Sequence, residues 1–235
     1  PAFLEAHGAM IDAMAAFLRG DPRRYDTVAL VKNAGVSSHS AEIRIMPIAA
    51  YARKPIGDEQ AARLRMRLCQ SWRRAGYTQG KVVRAMREMS AQIAAAFPDK
   101  LIGLAFVTGS NRFPTLQDGR CAPRQRNTTL NTMIRDMVET YGDRAVSNST
   151  TLYREGGDPP VLDWVLRSGG RVAFQLTRQQ AGCRRAGGAS CDPREVEAAI
   201  QAGLDADALF IEVHSGNVHR HRALLAEWNA RMRAR

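Results

Sequence analysis

Residues 101–108 read LIGLAFVT, eight positions without a charge. A short apolar run of that length is a strand buried on both faces, the kind found in parallel sheets rather than half-wet antiparallel ones. The flanks agree. Upstream, Thr78 is a good N-cap for a long helix that ends before Pro98. Downstream, a loop with Pro114, Gly119 and Pro123 leads to a helix over about 130–141, with Met133, Met137 and Val138 on one face.

The same helix–strand alternation extends outward. Before the run lie a helix over roughly 2–18, closed by Gly20-Asp21-Pro22, a strand at Thr27–Lys32 (TVALVK), and a helix over 58–74 with Leu64, Leu68 and Trp72 at four-residue spacing. After it come a strand over 144–153 and a helix that begins at Asp158-Pro159-Pro160 and ends near Arg167, before Gly169 and Gly170. Then follow the strand RVAFQLT (171–177), a helix opened by Asp192-Pro193-Arg194-Glu195, the strand ALFIEV (208–213) and a helix over 219–233. Strands alternating with helices specify α/β architecture with a parallel sheet under covering helices. No linker or change of composition divides residues 1–235, which read as a single domain.

Neither GxGxxG nor GxxxxGK[ST] follows any strand, so the nucleotide-binding fingerprints are missing. Polar residues gather instead at the strand ends: Asn33, His39 and Glu42 after the first, Asn111 after the second, Asn148 and Ser149 in the third, Gln175 in the fourth, Glu212 and His214 at the fifth. A (β/α)₈ TIM-barrel builds its site this way, from the loops at the C-terminal ends of its strands. About five strand–helix units after a lone helix make the chain the C-terminal part of such a barrel, helix three and units four to eight. A first residue of Pro1 rather than Met fits that expectation, and it neither displays nor excludes a signal peptide.

Of 235 residues, 45% are apolar and 24% charged, which excludes disordered, collagen-like and disulfide-miniprotein chains. No run approaches the roughly 20 apolar residues of a membrane-spanning helix. The net charge of +11 raises nucleic acid as a partner, but only four of the 34 cations are lysines. That skew resembles the codon bias of a GC-rich genome, and the arginines are spread along the chain, so nucleic acid is not the favoured partner. The densest group is Arg63, Arg65, Arg67, Arg73 and Arg74, read as a solvated helix face or, less favoured, an anion-binding face. Clustering of Arg63 and Arg65 with Arg184 and Arg185 would support an anionic partner.

Cys69, Cys121, Cys183 and Cys191 show no zinc-type spacing. Cys183 and Cys191 bracket the loop GCRRAGGASC; a disulfide there would go with a secreted or periplasmic protein, and two free thiols are the alternative. His219 and His221 lie two apart at a helix start and do not share a face, so no metal is expected. Trp72, Trp164 and Trp228 read as helix packing. Tyr51, Tyr153 and Phe113 follow strand ends and are candidates for stacking on sugar rings, with loop packing the alternative. Asn148-Ser149-Thr150 is a formal glycosylation sequon, incidental inside a strand.

The segment SSHSAEIRIMP after the first strand, with WRRAGYT, AAAFPDK, RVAFQ and LFIEV, resembles the (β/α)₈ glycoside hydrolases of the β-galactosidase- and cellulase-like clan. The resemblance covers most of residues 25–230 as a diffuse pattern. It implies glycosidic-bond hydrolysis of a poly- or oligosaccharide without a cofactor, with Glu42 as the acid/base among Ser37, Ser38, His39 and Ser40. It also implies a nucleophilic Glu on the seventh strand, where this chain carries Gln175. An amide cannot attack the anomeric carbon, so Glu212, one strand on, is the second catalytic carboxyl or else a binding or structural residue. Asn33, His39, Asn111, Asn148, Gln175, His214 and Tyr51 would line the sugar site. The alternative is an inactive glycosidase-like barrel that binds carbohydrate or a protein partner. The oligomeric state is left open.

Overall fold

The computed structural model describes residues 2–35, 45, 57–106, 113–122, 127–152, 159–176, 193–213, 218–219 and 221–234. Helix α1 spans Ala2–Arg19, α2 Pro22–Thr27, α3 Asp58–Arg74, α4 Gln79–Ala96, α5 Thr129–Tyr141, α6 Pro159–Arg167, α7 Pro193–Asp205 and α8 Arg222–Arg233. The strands are β1 Leu30–Lys32, β2 Leu101–Phe106, β3 Leu116–Gln117, β4 Arg120–Cys121, β5 Ala145–Leu152, β6 Arg171–Leu176 and β7 Ile211–Glu212.

Capping chemistry sets several of these boundaries. Thr78 accepts from the Lys81 amide at 3.2 Å and opens α4. Gly169, at φ 79°, and the contacts of Gly170 end α6 where a side chain would not fit. The expected first strand is shorter than TVALVK. Asp21 accepts from the Arg23 amide at 3.0 Å with Pro22 at the first helical position, so a one-and-a-half-turn helix takes residues 22–27 and the strand begins at Leu30. The loop after β2 also contains an unforeseen antiparallel hairpin, β3–β4, turning through Asp118 and Gly119 at positive φ.

Five strands form one parallel sheet in the order β1-β2-β5-β6-β7. Within this sheet each strand neighbours the next sheet strand in the chain, so right-handed crossovers place the covering helices on one face. Pairing register sorts the side chains. Ile102, Leu104 and Phe106, then Val172, Phe174 and Leu176, point to the helices and pack with Met89, Ile93, Met133, Ile134 and Val165 in the core. The opposite face carries Lys32, Gly103, Ala105, Asn148, Ala173, Gln175 and Glu212.

The sheet is curled. β1 and β7 are its two edges, yet Lys32 Nζ is paired with the Glu212 carboxylate. In a flat five-stranded sheet those edges would lie roughly 19 Å apart, beyond the combined reach of the two side chains. The chain is thus an α/β protein with a curled parallel sheet, as a partial α/β barrel would have.

A disulfide joins Cys69 of α3 to Cys121 of β4. The pairing considered from sequence, Cys183 with Cys191, lies outside the described residues. The Cys69–Cys121 bridge, which sequence spacing did not suggest, spans 52 positions because the hairpin folds back onto α3.

Candidate functional site

The concave face holds a polar patch built by four strands. Lys32 is the last residue of β1, and its apolar stem lies along the sheet beside Gly103. A Cβ at Gly103 would come within 3.2 Å of Lys32 Cγ and 3.0 Å of Leu30 Cδ2, so the glycine makes room for that side chain. The ammonium also lies 5.8 Å from the Phe210 ring centroid, a favourable position for a cation. Glu212 ends β7 and receives two donors on the same oxygen: Lys32 Nζ, and Asn148 Nδ2 at 3.2 Å.

Asn148 is fully buried in the middle of β5, level with Ala105 on one side and Ala173 on the other. Its Oδ1 has no hydrogen-bond partner among the described residues. A buried amide oxygen without a donor costs about 1–3 kcal/mol, so Asn148 Oδ1 is a polar atom that the described residues leave unsatisfied beneath this face. Gln175 stands directly beside Glu212 in the β6–β7 register and is half-buried. Lys32 and Glu212 each keep about 30% of their side chains accessible (28% and 31%). Between them lie the small residues Gly103, Ala105 and Ala173. The arrangement brings an ammonium, a carboxylate and two amides together on one face.

The sequence candidates separate accordingly. Asn148, Gln175 and Glu212 share this face. Asn33 does not open onto it: its Nδ2 donates to Ser90 Oγ at 2.9 Å and to the Met86 carbonyl at 3.3 Å, both on α4, and its Oδ1 accepts from the Gly35 amide. One residue beyond Lys32 on a strand, the side chain turns to the opposite face. Glu42, His39, Asn111, His214 and Tyr51 lie outside the described residues. Of the stacking candidates, Phe113 is buried in the core at 3% exposure and presents no open ring face, while Tyr51 and Tyr153 lie outside the described residues. Trp228 is buried in the core, and Trp72 and Trp164 pack against it. Burial of Asn148 also removes the sequon from any glycosylation machinery.

Lys32 is the residue that sequence reasoning missed. Its signal was a lysine at the end of the apolar run TVALVK, alternating with Leu30.

A second depression, an apolar cleft of about 190 Å³, lies between α4 and α5 on the helical side and is lined by Met86, Met133, Met137 and Leu104. Its charged groups, Arg87 and Asp136, satisfy each other through two bonds of 2.8 Å. Among the described residues no group of three or more His, Cys, Asp or Glu could hold a metal, and no helix is long and apolar enough to cross a membrane. No protein-family profile matches the chain, and no curated protein is significantly similar to it.

Proposed function

We propose that the chain is a glycoside hydrolase-type half-barrel that binds a poly- or oligosaccharide on the concave face of its sheet. One observation carries the reading: Lys32, Asn148, Gln175 and Glu212, from four different strands, lie on that one face, with a buried acceptor left open at Asn148. Sugars present dense, alternating donors and acceptors. A floor of amides and a paired carboxylate answers that pattern, and the short side chains between them admit a pyranose ring.

For hydrolysis, Glu212 is one carboxyl and Glu42 the other, arriving on the segment that follows β1. The strand carrying Lys32 thus leads into that segment, and Lys32 anchors Glu212. Glu42 protonates the departing glycosidic oxygen. Glu212, fixed by Lys32 and Asn148, serves as base toward water or as the group that stabilises positive charge at the anomeric carbon. Gln175 holds a sugar hydroxyl.

A second reading is binding without turnover. It is favoured by the position of Gln175 where clan members carry a nucleophile, and by the engagement of Glu212 with a cation. Glu42→Gln and Glu212→Gln, assayed separately for glycan cleavage and glycan binding, decide between them. Hydrolysis predicts that each variant loses turnover by about a hundredfold or more while binding persists. Absence of cleavage by the parent, with binding weakened by Glu212→Gln, supports the second reading. If neither variant alters binding or cleavage of any glycan, both readings fall.

A further inference from the structure

Between Gln60 and Arg87 the chain carries eight cationic side chains and no carboxylate. Codon bias explains why these are arginines but not their number, because exchanging Lys for Arg leaves the charge unchanged. The overall +11 is a separate property that needs its own account.

The structure arranges part of this charge in a line. On α3, Arg63, Arg67, Gln70 and Arg74 follow one another at spacings of four, three and four residues, which is one stripe of a helix. Cys69 is buried on the other side of the helix, and Arg63, Arg67 and Arg74 are exposed. Arg63 pairs with Glu59 at 2.5 Å. Arg67 and Arg74 have no carboxylate partner among the described residues. At about 1.5 Å of rise per residue, the guanidinium positions step along roughly 16 Å of straight helix.

The helix that carries the stripe is fastened to the β3–β4 hairpin. In the chain the β3–β4 hairpin comes between β2 and α5. α3 is bonded to that hairpin by Cys69–Cys121 and by Arg73 Nη1 donating to the Gly119 carbonyl at 3.4 Å. Rigid attachment limits the entropy lost when a ligand is bound.

We propose that the Arg63–Arg67–Arg74 face of α3 is a subsite for an acidic polysaccharide, its uronate carboxylates pairing with successive guanidiniums. The proposal rests on the carbohydrate reading above and names the substrate class. Guanidinium suits carboxylate because its fork donates to both oxygens at once. Two observations favour a polyuronate over nucleic acid. The neighbouring aromatics, Trp72 and Tyr77, are packed against the core and offer no stacking platform. The disulfide belongs to oxidising compartments, where surface and secreted glycans are found.

The test measures binding of the 235-residue chain to sodium polygalacturonate, to its methyl-esterified form and to duplex DNA across a salt series. We expect the acid form to bind most tightly and the ester about tenfold more weakly. The Arg67→Gln/Arg74→Gln double variant, altered only at exposed positions, should lose about tenfold for the acid form and about two units of salt slope, with the ester unaffected. Unchanged binding by the double variant, or duplex DNA bound as tightly as polygalacturonate, overturns the proposal. Glu212→Gln and Gln175→Ala separate the two layers. If these leave every glycan's affinity unchanged while the arginine variant loses the acid form, the stripe stands and the sheet-floor reading falls. If they weaken neutral oligosaccharide while the arginine variant changes nothing, the reverse holds.

Discussion

The two faces of the parallel sheet are made from alternate residues of the same strands, and they could hardly differ more. On β6, Val172, Phe174 and Leu176 face the helices and are buried with Met133, Ile134 and Val165; Ala173 and Gln175, the residues between them, face the concavity. On β2 the helix face is Ile102, Leu104 and Phe106, the concave face Gly103 and Ala105. Large side chains on one side supply cohesion. The other side mixes Leu30 and the buried Val146 with small and polar residues, and at Asn148 it leaves an acceptor unsatisfied. The proposed site therefore rests on a face whose polar residues come from four strands and are not needed for cohesion.

Neighbouring substitutions on β6 give the sharpest test of that division. Phe174→Ala removes a fully buried ring and should cost about 3–5 kcal/mol in urea denaturation. Gln175→Ala, one residue away and half-buried, should stay within about 0.5 kcal/mol while weakening glycan binding. Equal losses at the two positions would erase the distinction between the faces.

The rim is held by a different force. Cys69 and Cys121 lie 52 positions apart, so the bridge restricts a long loop of the unfolded chain. Replacing both with Ser should cost about 3 kcal/mol, read as a fall in the urea midpoint that matches the wild type under reductant. Next to it, Tyr77 Oη donates to the Pro114 carbonyl at 3.0 Å, and burial pushes its phenol from 10.0 up to about 12. The folded state therefore favours the neutral phenol. Its contribution is complete below pH 10 and is lost as pH rises from about 10 to 12, a loss on the order of 2–3 kcal/mol. Urea midpoints from pH 8 to 11.5 should fall above pH 10 in the wild type and fall less steeply in Tyr77→Phe.

On the concave face, Gly103→Ala would crowd Leu30 and Lys32. Both contacts are flexible side chains that can give way, so the expected cost is about 1 kcal/mol. The more telling readout is function, since Lys32 would shift from Glu212 and ligand affinity would fall. Retained affinity would show that the ion pair is only a clasp between the sheet edges.

Much of this was legible in the chain itself. Thr78, Pro159-Pro160, Pro193 and Gly169 announce helix ends through local chemistry, and the runs LIGLAFVT and RVAFQLT announce buried parallel strands. The concavity was not legible in the same way. Gly103, Ala105 and Ala173 count as apolar in any pattern, so an alternation of large and small reads as a continuous run. The pairing of Lys32 with Glu212 spans 180 positions and depends on how far the sheet curls, which no local motif encodes. Asn33 was misplaced for the same reason: position after a strand says nothing about which face the amide takes, and α4 supplies its partners. α2 displaced the start of the first strand because an Asp-Pro cap outweighed the β preference of Thr27 and Val28.

The smallest change in stability should come from the residue most diagnostic of the site. Asn148 is buried, gives one hydrogen bond to Glu212 and leaves its oxygen without a donor among the described residues. Asn148→Ala adds no bulk at this buried position, deletes the lone bond and removes the unpaired oxygen. A net hydrogen bond contributes about 1 kcal/mol, and an unsatisfied buried acceptor costs at least as much, so the two should offset and Tm should be unchanged or slightly raised. Affinity for the saccharide should fall sharply, because the acceptor and the anchoring of Glu212 are lost together. A large drop in Tm would instead mean that Asn148 serves the fold, and the two faces of the sheet would then differ in size of side chain but not in purpose.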